Sequence, residues 1–593
     1  VWNIFNRLRL SPYFSGFATI SPVQTGSIPT MKTTLVYPLR LLFSSLLLFF
    51  LPISLFGSLF GQGTVEMELS DSDSSAPISA RMSFTKSPKK VVRPRKLLQA
   101  GEQWLAEENF PLSLPNGEYE FLVERGPEFK VIRGGFTIES KAKDVVTVEV
   151  PRSVDMHAEG WYSGDHLSTL LPTLLKRWQA ADALDVAISV APKQPASETA
   201  KPKKPIAPET PDIDAIGLQL TLNSQRLEWQ HGAFLLHFDP SRPTNHSPPD
   251  KANEQTDAEV TPKPDSFPSI TDTAQVLQHL SKTKEDGSWI ELLNSWQRDT
   301  PFLLATDQVR AVQILSEGNR PGSDVKIAFP KSNAGKFLEG KVPLVRGKER
   351  SFLDIFAPIP ADDDIRFNNA RGLGSLSEFL YWQMLEAGFR IAPTAGSCFD
   401  ANNTNLGYNR VYVFTEEPPT PTTWMQNVRQ GRTTVTNGPL LRTTVNGQPP
   451  GSVLASYRGQ SVSLDIAVSL TVREPVDYLD VVFNGKTIYS AKLEDHYKKG
   501  EFPPIEIEES GWMVVRVVTG HDQGYRLATT APFYFEFDSQ PRRSKAAVEF
   551  FETWLSRSID AIKKDKEQNV SLEPFLESTR RFWSDRLETC TAD

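Results

Sequence analysis

Two stretches of the chain alternate apolar and polar residues with the period of a β-strand, and a long segment between them switches between that period and the helical one. The first stretch, residues 100–156, carries GEYEFLVERG with Tyr119, Phe121 and Val123 in alternation. FKVIRGGFTIE and DVVTVEV repeat the pattern with Gly and Pro as punctuation, predicting a small β-sandwich. The second stretch, 444–540, contains SVSLDIAVSL, YLDVVFNGKTIYS, GWMVVRVVTG and APFYFEF, with Asn484-Gly485 as a hairpin turn, and predicts a second sandwich. Between them, residues 157–443 place Leu170, Leu171, Leu174 and Trp178 at helical spacing ahead of a strand over Leu184–Val190, with Pro172 in the first helical turn. The segments IGLQLTL, FLLHF, TAQVLQHLSK, WIELLNSW and QVRAVQIL continue the alternation. Ser375 and Glu378 read as a capping box for a helix with Leu376, Phe379, Leu380 and Met384 on its apolar face and Gly388 as its stop. This strand–helix order predicts an α/β layer or barrel. Residues 541–593 read as a helical tail, with Phe551, Leu555, Ile559 and Ile562 on one face.

The longest apolar run, Leu41–Phe60, follows the charged segment MKTTLVYPLR and precedes Gly61-Gln62-Gly63. That order predicts a signal peptide over 31–63, with residues 1–30 a mis-annotated extension upstream of Met31. An uncleaved membrane anchor is the alternative, since about 20 apolar residues span a bilayer. Either way the chain is expected to be exported: periplasmic, cell-surface or secreted. Residues 64–99, rich in Ser and Lys, read as a disordered linker, and the Pro-rich segments 192–211 and 240–268 as disordered insertions in the central domain. Two cysteines, Cys398 and Cys590, make no disulfide framework. With 64 basic and 72 acidic residues scattered along the chain, a net charge of −8 argues against nucleic acid as a partner.

The chain lacks H-E-x-x-H, G-x-S-x-G, C-x-x-C and a helix-opening G-x-G-x-x-G. Gly335–Val342 approaches a phosphate-binding loop, but Val342 stands where a hydroxyl is needed, so a polar loop is expected. Cys398 has no histidine near it in sequence and reads as a buried small hydrophobe. His166 beside Asp165 is a candidate acid/base pair, although adjacent residues on a strand face opposite ways. Asp165, Glu228 and His231 are the candidates for a sparse metal site, and the competing reading makes them ordinary polar residues at strand ends. His231 and His237 share a face on a continuous strand but stand roughly 20 Å apart, too far to share one ion unless the chain turns between them.

The segments RGPEFKVIRGGFTI, WYSGD, LYWQMLEAGFRIAPTAGS, LGYNRVYVF and GRTTVTNGPLL before TVNGQPPG together resemble the CehA/McbA group of exported metallohydrolases. The resemblance covers roughly residues 110–540. It implies a distorted β/α barrel of the PHP type, flanked here by the two sandwiches, and metal-dependent hydrolysis of carbamate, ester or phosphoester bonds. The group's metal site begins G-D-x-H-x-H, whereas this chain reads Gly164-Asp165-His166-Leu167-Ser168-Thr169, with Leu167 and Thr169 in the histidine places. The expectation is therefore a degenerate hydrolase with no cofactor, a pseudoenzyme that binds a small molecule or an envelope polymer. Ser397, Asn409, Arg410 and Asn437 are the candidate ligand-binding residues, with structural capping as their equal alternative. Two other readings stand beside it. One is an active hydrolase using Zn, Mn or Fe at a reduced site of Asp165, His166, Glu228 and His231; the other is a structural surface module.

Overall fold

The computed structural model describes residues 62–593 apart from 88–89, 93, 95–96, 108, 140–142, 191–218, 238–270, 285–286, 317–318, 320–326, 328–336, 347–348, 400–404, 500–501, 521–523 and 565. The export segment and both Pro-rich insertions lie outside the described residues, apart from Gln62 and Gly63. What is described is a multidomain α/β protein with several sheets, a large mixed sheet at its centre and helices at the C-terminal end.

The first unit starts earlier than the sequence pattern suggests. Gln62–Asp71 is the middle strand of a three-stranded sheet, between Asn109–Pro115 and Lys143–Val150. Ala80–Lys86 lies in a second sheet, between Gln103–Ala106 and Gly117–Glu124. The two sheets share one core, in which Val65, Met67 and Leu69 meet Met82, Phe84, Trp104, Phe121 and Val123. Half of the expected linker over 64–99 is therefore strand. Its serines mislead because they are concentrated in one turn, where the Asp71 carboxylate accepts N–H bonds from Asp73 and Ser74 at 3.0 and 2.9 Å. On either side of that turn, apolar residues recur every second position.

In the large sheet, Trp161–Ser168 lies between Val186–Val190, parallel to it, and Arg410–Phe414, antiparallel. One direction continues through Leu220–Trp229, Gly232–His237, Trp289–Leu292, Val309–Leu315 and Ala392–Ala395. The sheet curls back on its starting strand: Phe399 N–H donates to Leu167 O at 3.1 Å, and Thr169 N–H to Phe399 O at 3.0 Å. All eight residues of Trp161–Ser168 are buried. The other direction runs through Thr433–Thr436 into Leu527–Thr530, Gly511–Thr519, Val476–Phe483 and Lys486–Lys492. No sheet boundary therefore falls at residue 444, and Leu440–Val445 already pairs with Ile466–Thr471 in the C-terminal β unit.

The helix expected from Ser375 begins at Gly372 and ends at Glu386, with Gly388 at φ +82°. Ser375 and Glu378 are interior to it. Glu378 is buried and takes bonds from Tyr525 Oη and Arg516 Nη1, so its carboxylate joins the helix to the C-terminal β unit. The loop expected near Val342 is the strand Phe337–Arg346, paired with Glu349–Pro360, and Val342 is core. Of the tail helices, Lys545–Ile562 packs on that hairpin and on Gly372–Glu386, and Lys566–Glu588 packs on Lys545–Ile562, Thr273–Thr283 and Thr300–Ala305, with the Phe551 ring stacked on Trp554 and Trp583. Among the described residues, no helix is long and apolar enough to cross a membrane.

Candidate functional site

Strand register decides which side chains meet inside the curl. Glu291 stands opposite Leu235, two places from His237, so both project from one face of the sheet. Glu291 also pairs with Ala311, two residues before Gln313, and Gln313 pairs with Thr394, which carries the same face across two more strands. Four strands thus aim polar groups at one point. Between Asp165 and Ser168 the register with the neighbouring strand slips, and the bulge turns His166 toward the same point.

Glu291 is the hub. Its Oε2 accepts from His166 Nδ1 at 2.8 Å and His237 Nε2 at 3.1 Å, and its Oε1 from Gln313 Nε2 at 2.8 Å and Thr394 Oγ1 at 2.9 Å. Those four bonds use about all the lone pairs a carboxylate offers. Burial alone would push this carboxyl up, but the two imidazoles facing it outweigh burial and hold it well below the usual carboxylate range.

Each histidine is closed from its far side. The Trp424 indole N–H reaches His166 Nε2 at 3.2 Å, and because indole nitrogen only donates, Nε2 is the acceptor and the ring proton sits on Nδ1. Ser224 Oγ lies 2.7 Å from His237 Nδ1, with Nε2–H turned to Glu291. Burial pulls the His237 pKa below its ordinary value despite the carboxylate, which favours the uncharged ring. His166, His237 and Glu291 have no side-chain exposure. The Trp424 indole fits only because Gly164 has no side chain: a Cβ there would lie 2.4 Å from the ring.

The sequence-derived candidates divide between this interior and other places. His166 belongs to it. Asp165 does not pair with His166; its carboxylate accepts N–H bonds from Leu167, Ser397 and Gly407 at 3.1, 2.9 and 2.8 Å. That binds three chain segments together, and burial pushes the Asp165 carboxyl up against the pull of those bonds. Ser397 Oγ receives Asn409 N–H at 3.0 Å, Asn409 Nδ2 donates to Ser316 O and Gly396 O, and Arg410 donates to Gly407 O and Asp182 O. All three are buried, holding backbone in place and presenting no surface to a ligand.

Asn437 stands elsewhere, clamping Leu527 N–H and Tyr525 O where the large sheet enters the C-terminal unit. Glu228 and His231 are at the far end of their hairpin. Asp165 is level with Ala187 and Thr221, and Glu228 is seven residues further on, roughly 20 Å away. Glu228 lies 3.3 Å from Arg226, and His231 occupies the turn. The reduced metal site of Asp165, Glu228 and His231 is therefore not assembled. Among the described residues no group of three or more His, Cys, Asp or Glu side chains is arranged to hold a metal ion.

Leu167, in the place of an expected imidazole, packs with Val190, Ala233, Leu235 and Leu293. Cys398 is half-buried beside this apolar cluster, not sealed in a core, with its Sγ 3.5 Å from Arg226 Nη1.

No protein-family model matches the chain, and no curated protein matches it. Among solved structures, the Bacillus anthracis TIE protein shares 12% identity over 18% of this chain and 19% of its own, with a TM-score of 0.13. GBS52, the minor pilin of Streptococcus agalactiae, shares 17% identity over 16% of this chain and 47% of its own, with a TM-score of 0.15. The N-terminal four Ig domains of Dscam1 isoform 8.4 share 7% identity over 79% of this chain and 96% of theirs, with a TM-score of 0.11. The chain thus spans less than half the length of the first two, and superpositions at these scores fix neither fold nor function.

Proposed function

We propose that the chain is an exported, non-catalytic protein built like a CehA/McbA-type metallohydrolase, with a distorted PHP-like barrel between two β-sandwiches, serving as a ligand-binding or envelope-associated protein. One observation carries this reading. The free lone pairs of His166 and His237 are occupied by Trp424 and Ser224, and those of Glu291 by four protein donors. A Zn ion needs such lone pairs at about 2.0–2.2 Å. Here protein hydrogen bonds take the place an ion would fill, and the interior works as a rivet between strands.

The test is metal content and stability together. Purified protein should carry no stoichiometric Zn, Mn or Fe by elemental analysis, and chelator should leave its melting temperature unchanged. Glu291→Gln puts an amide N–H2 against donors and should cost about 1–3 kcal/mol, the scale of buried donors left unsatisfied. One bound metal per chain, lost in Glu291→Gln together with hydrolysis of esters or phosphodiesters, would overturn the proposal.

A further inference from the structure

A cavity lies away from the polar interior. Val309 opens one strand of the large sheet, Ile391 directly precedes another, and both line a space of about 840 Å³ at the N-terminal ends of those parallel strands. Gln313, which reaches Glu291, is four residues further along, roughly 13 Å. The cavity, open to solvent, is bordered by the segment after Gly372–Glu386, by the end of Pro421–Arg429 and by the tail.

Its walls carry Arg310, Arg390, Arg429, Arg543 and Arg586 against a single carboxylate, Asp307. That concentration stands out in a chain whose net charge is −8. Helix C-termini attract arginines, so structural roles come first in the accounting. Arg586 Nε donates to Ala387 O at 2.7 Å, Arg310 lies 3.6 Å from Asp307, and Arg390 pairs with Glu536. Two helix ends add about half a negative charge each. With Asp307 and Glu536 these offset three of the five positive charges, leaving roughly two uncompensated.

Two arginines show where the excess sits. Arg543 reaches Thr589 with Nη1, but its buried Nε has no partner. Arg429 is exposed at the rim and has no carboxylate partner among the described residues. Burial, and after it the charge of neighbouring Arg543, pushes Arg586 down to about 10. The Arg586 guanidinium carbon lies over the Phe389 ring, 3.8 Å from its centroid, a cation–π contact that holds the group at the wall.

We propose that this cavity binds a compact small-molecule anion carrying at least two negative charges on phosphoryl or carboxylate groups. The volume matches a small-molecule site. Planar guanidinium forks bind both oxyanion types in bidentate fashion. The ligand would enter past Arg429 and meet the guanidinium groups along the wall. The site is independent of the barrel interior, so a metal found there would sink the previous reading and leave this one standing.

The test is calorimetric titration of the full chain at 0.15 M salt with inorganic pyrophosphate and, separately, citrate. One saturable site per chain is expected for at least one of them. Binding of pyrophosphate alone assigns phosphoryl chemistry, and binding of citrate alone assigns carboxylate chemistry. Arg429→Gln, at an exposed position, should weaken binding about tenfold with an unchanged melting temperature. Adding Arg543→Gln should abolish it, while Arg133→Gln, on an exposed arginine of the N-terminal unit, should leave it unchanged. Failure of both anions to bind, or equal binding by the Arg429→Gln protein and its parent, would overturn the proposal.

Discussion

Gly164 and Trp424 lie 260 positions apart in sequence and act as one device. The missing side chain of Gly164 makes the bed in which the indole lies, and the indole N–H fixes the tautomer of His166. Gly164→Ala should cost about 1–3 kcal/mol by overpacking. Trp424→Phe should cost a similar amount by stranding Nε2. Because both act on the same ring, urea unfolding of the double variant should show less than the sum of the two costs. Two other histidines set opposing pH responses. His237 has a lowered pKa, so the unfolded chain takes up its proton first and stability falls as pH drops below about 6.5. For His157, burial would lower the pKa, but Asp185, 2.8 Å away, raises it overall. Its contribution is complete below about pH 6.5 and is lost as pH rises through the raised value. Between pH 7.5 and 5.5, His237→Gln should flatten the parent's loss of urea midpoint on acidification and His157→Gln should steepen it. Equal pH slopes in all three proteins would refute both assignments.

Among the elements, those built on one unbroken period are legible in the sequence. The Asn484-Gly485 hairpin takes left-handed φ values of 48° and 73° between paired strands, and Pro172 opens the helix Pro172–Asp182. The polar interior was less legible. Glu291 stands alone in the apolar run WIELL, and an isolated carboxylate on the inward phase of a buried strand was the available signal. Sequence spacing sets His237 beside His231, whereas its partners lie 13 and 54 residues away on other strands. Gln313 and Thr394 carry no signal of their own, since register alone brings them together. The capping box at Ser375 failed for a different reason: the helix Gly372–Glu386 is buried nearly all round, so Glu378 serves a tertiary ion pair and not a helix end. The strands Gln62–Asp71 and Ala80–Lys86 are the elements most open to test. A chain started at residue 100 loses Val65, Met67, Leu69, Met82 and Phe84 from one core. Its N-terminal unit should be digested by trypsin under conditions that leave the parent's intact; equal resistance would mean that these strands are dispensable.

At the scale of the molecule, three attachments make the units interdependent. Arg81 pairs with buried Asp182 at 2.7 Å and Tyr412 reaches Glu128 at 3.2 Å, joining the N-terminal unit to the central sheet. Thr434 pairs with Thr530 and Asn437 clamps Leu527, so the central sheet and the C-terminal unit share strands. The tail wraps back to complete the arginine-lined cavity, which lies at the opposite end of the parallel strands from the Glu291 hub. Any ligand taken there would meet side chains from the central sheet, two helix ends and the tail at once. The shared sheet also imposes an order in time. Thr433–Thr436 stays an unpaired edge until Leu527–Thr530 has been synthesised, about 90 residues later, which at 5–20 residues per second is on the order of ten seconds. During that interval the nascent chain exposes a β-edge and an apolar helix whose partners do not yet exist. A holding chaperone, or delivery across a membrane before folding, would protect the chain at the stage when its own architecture cannot.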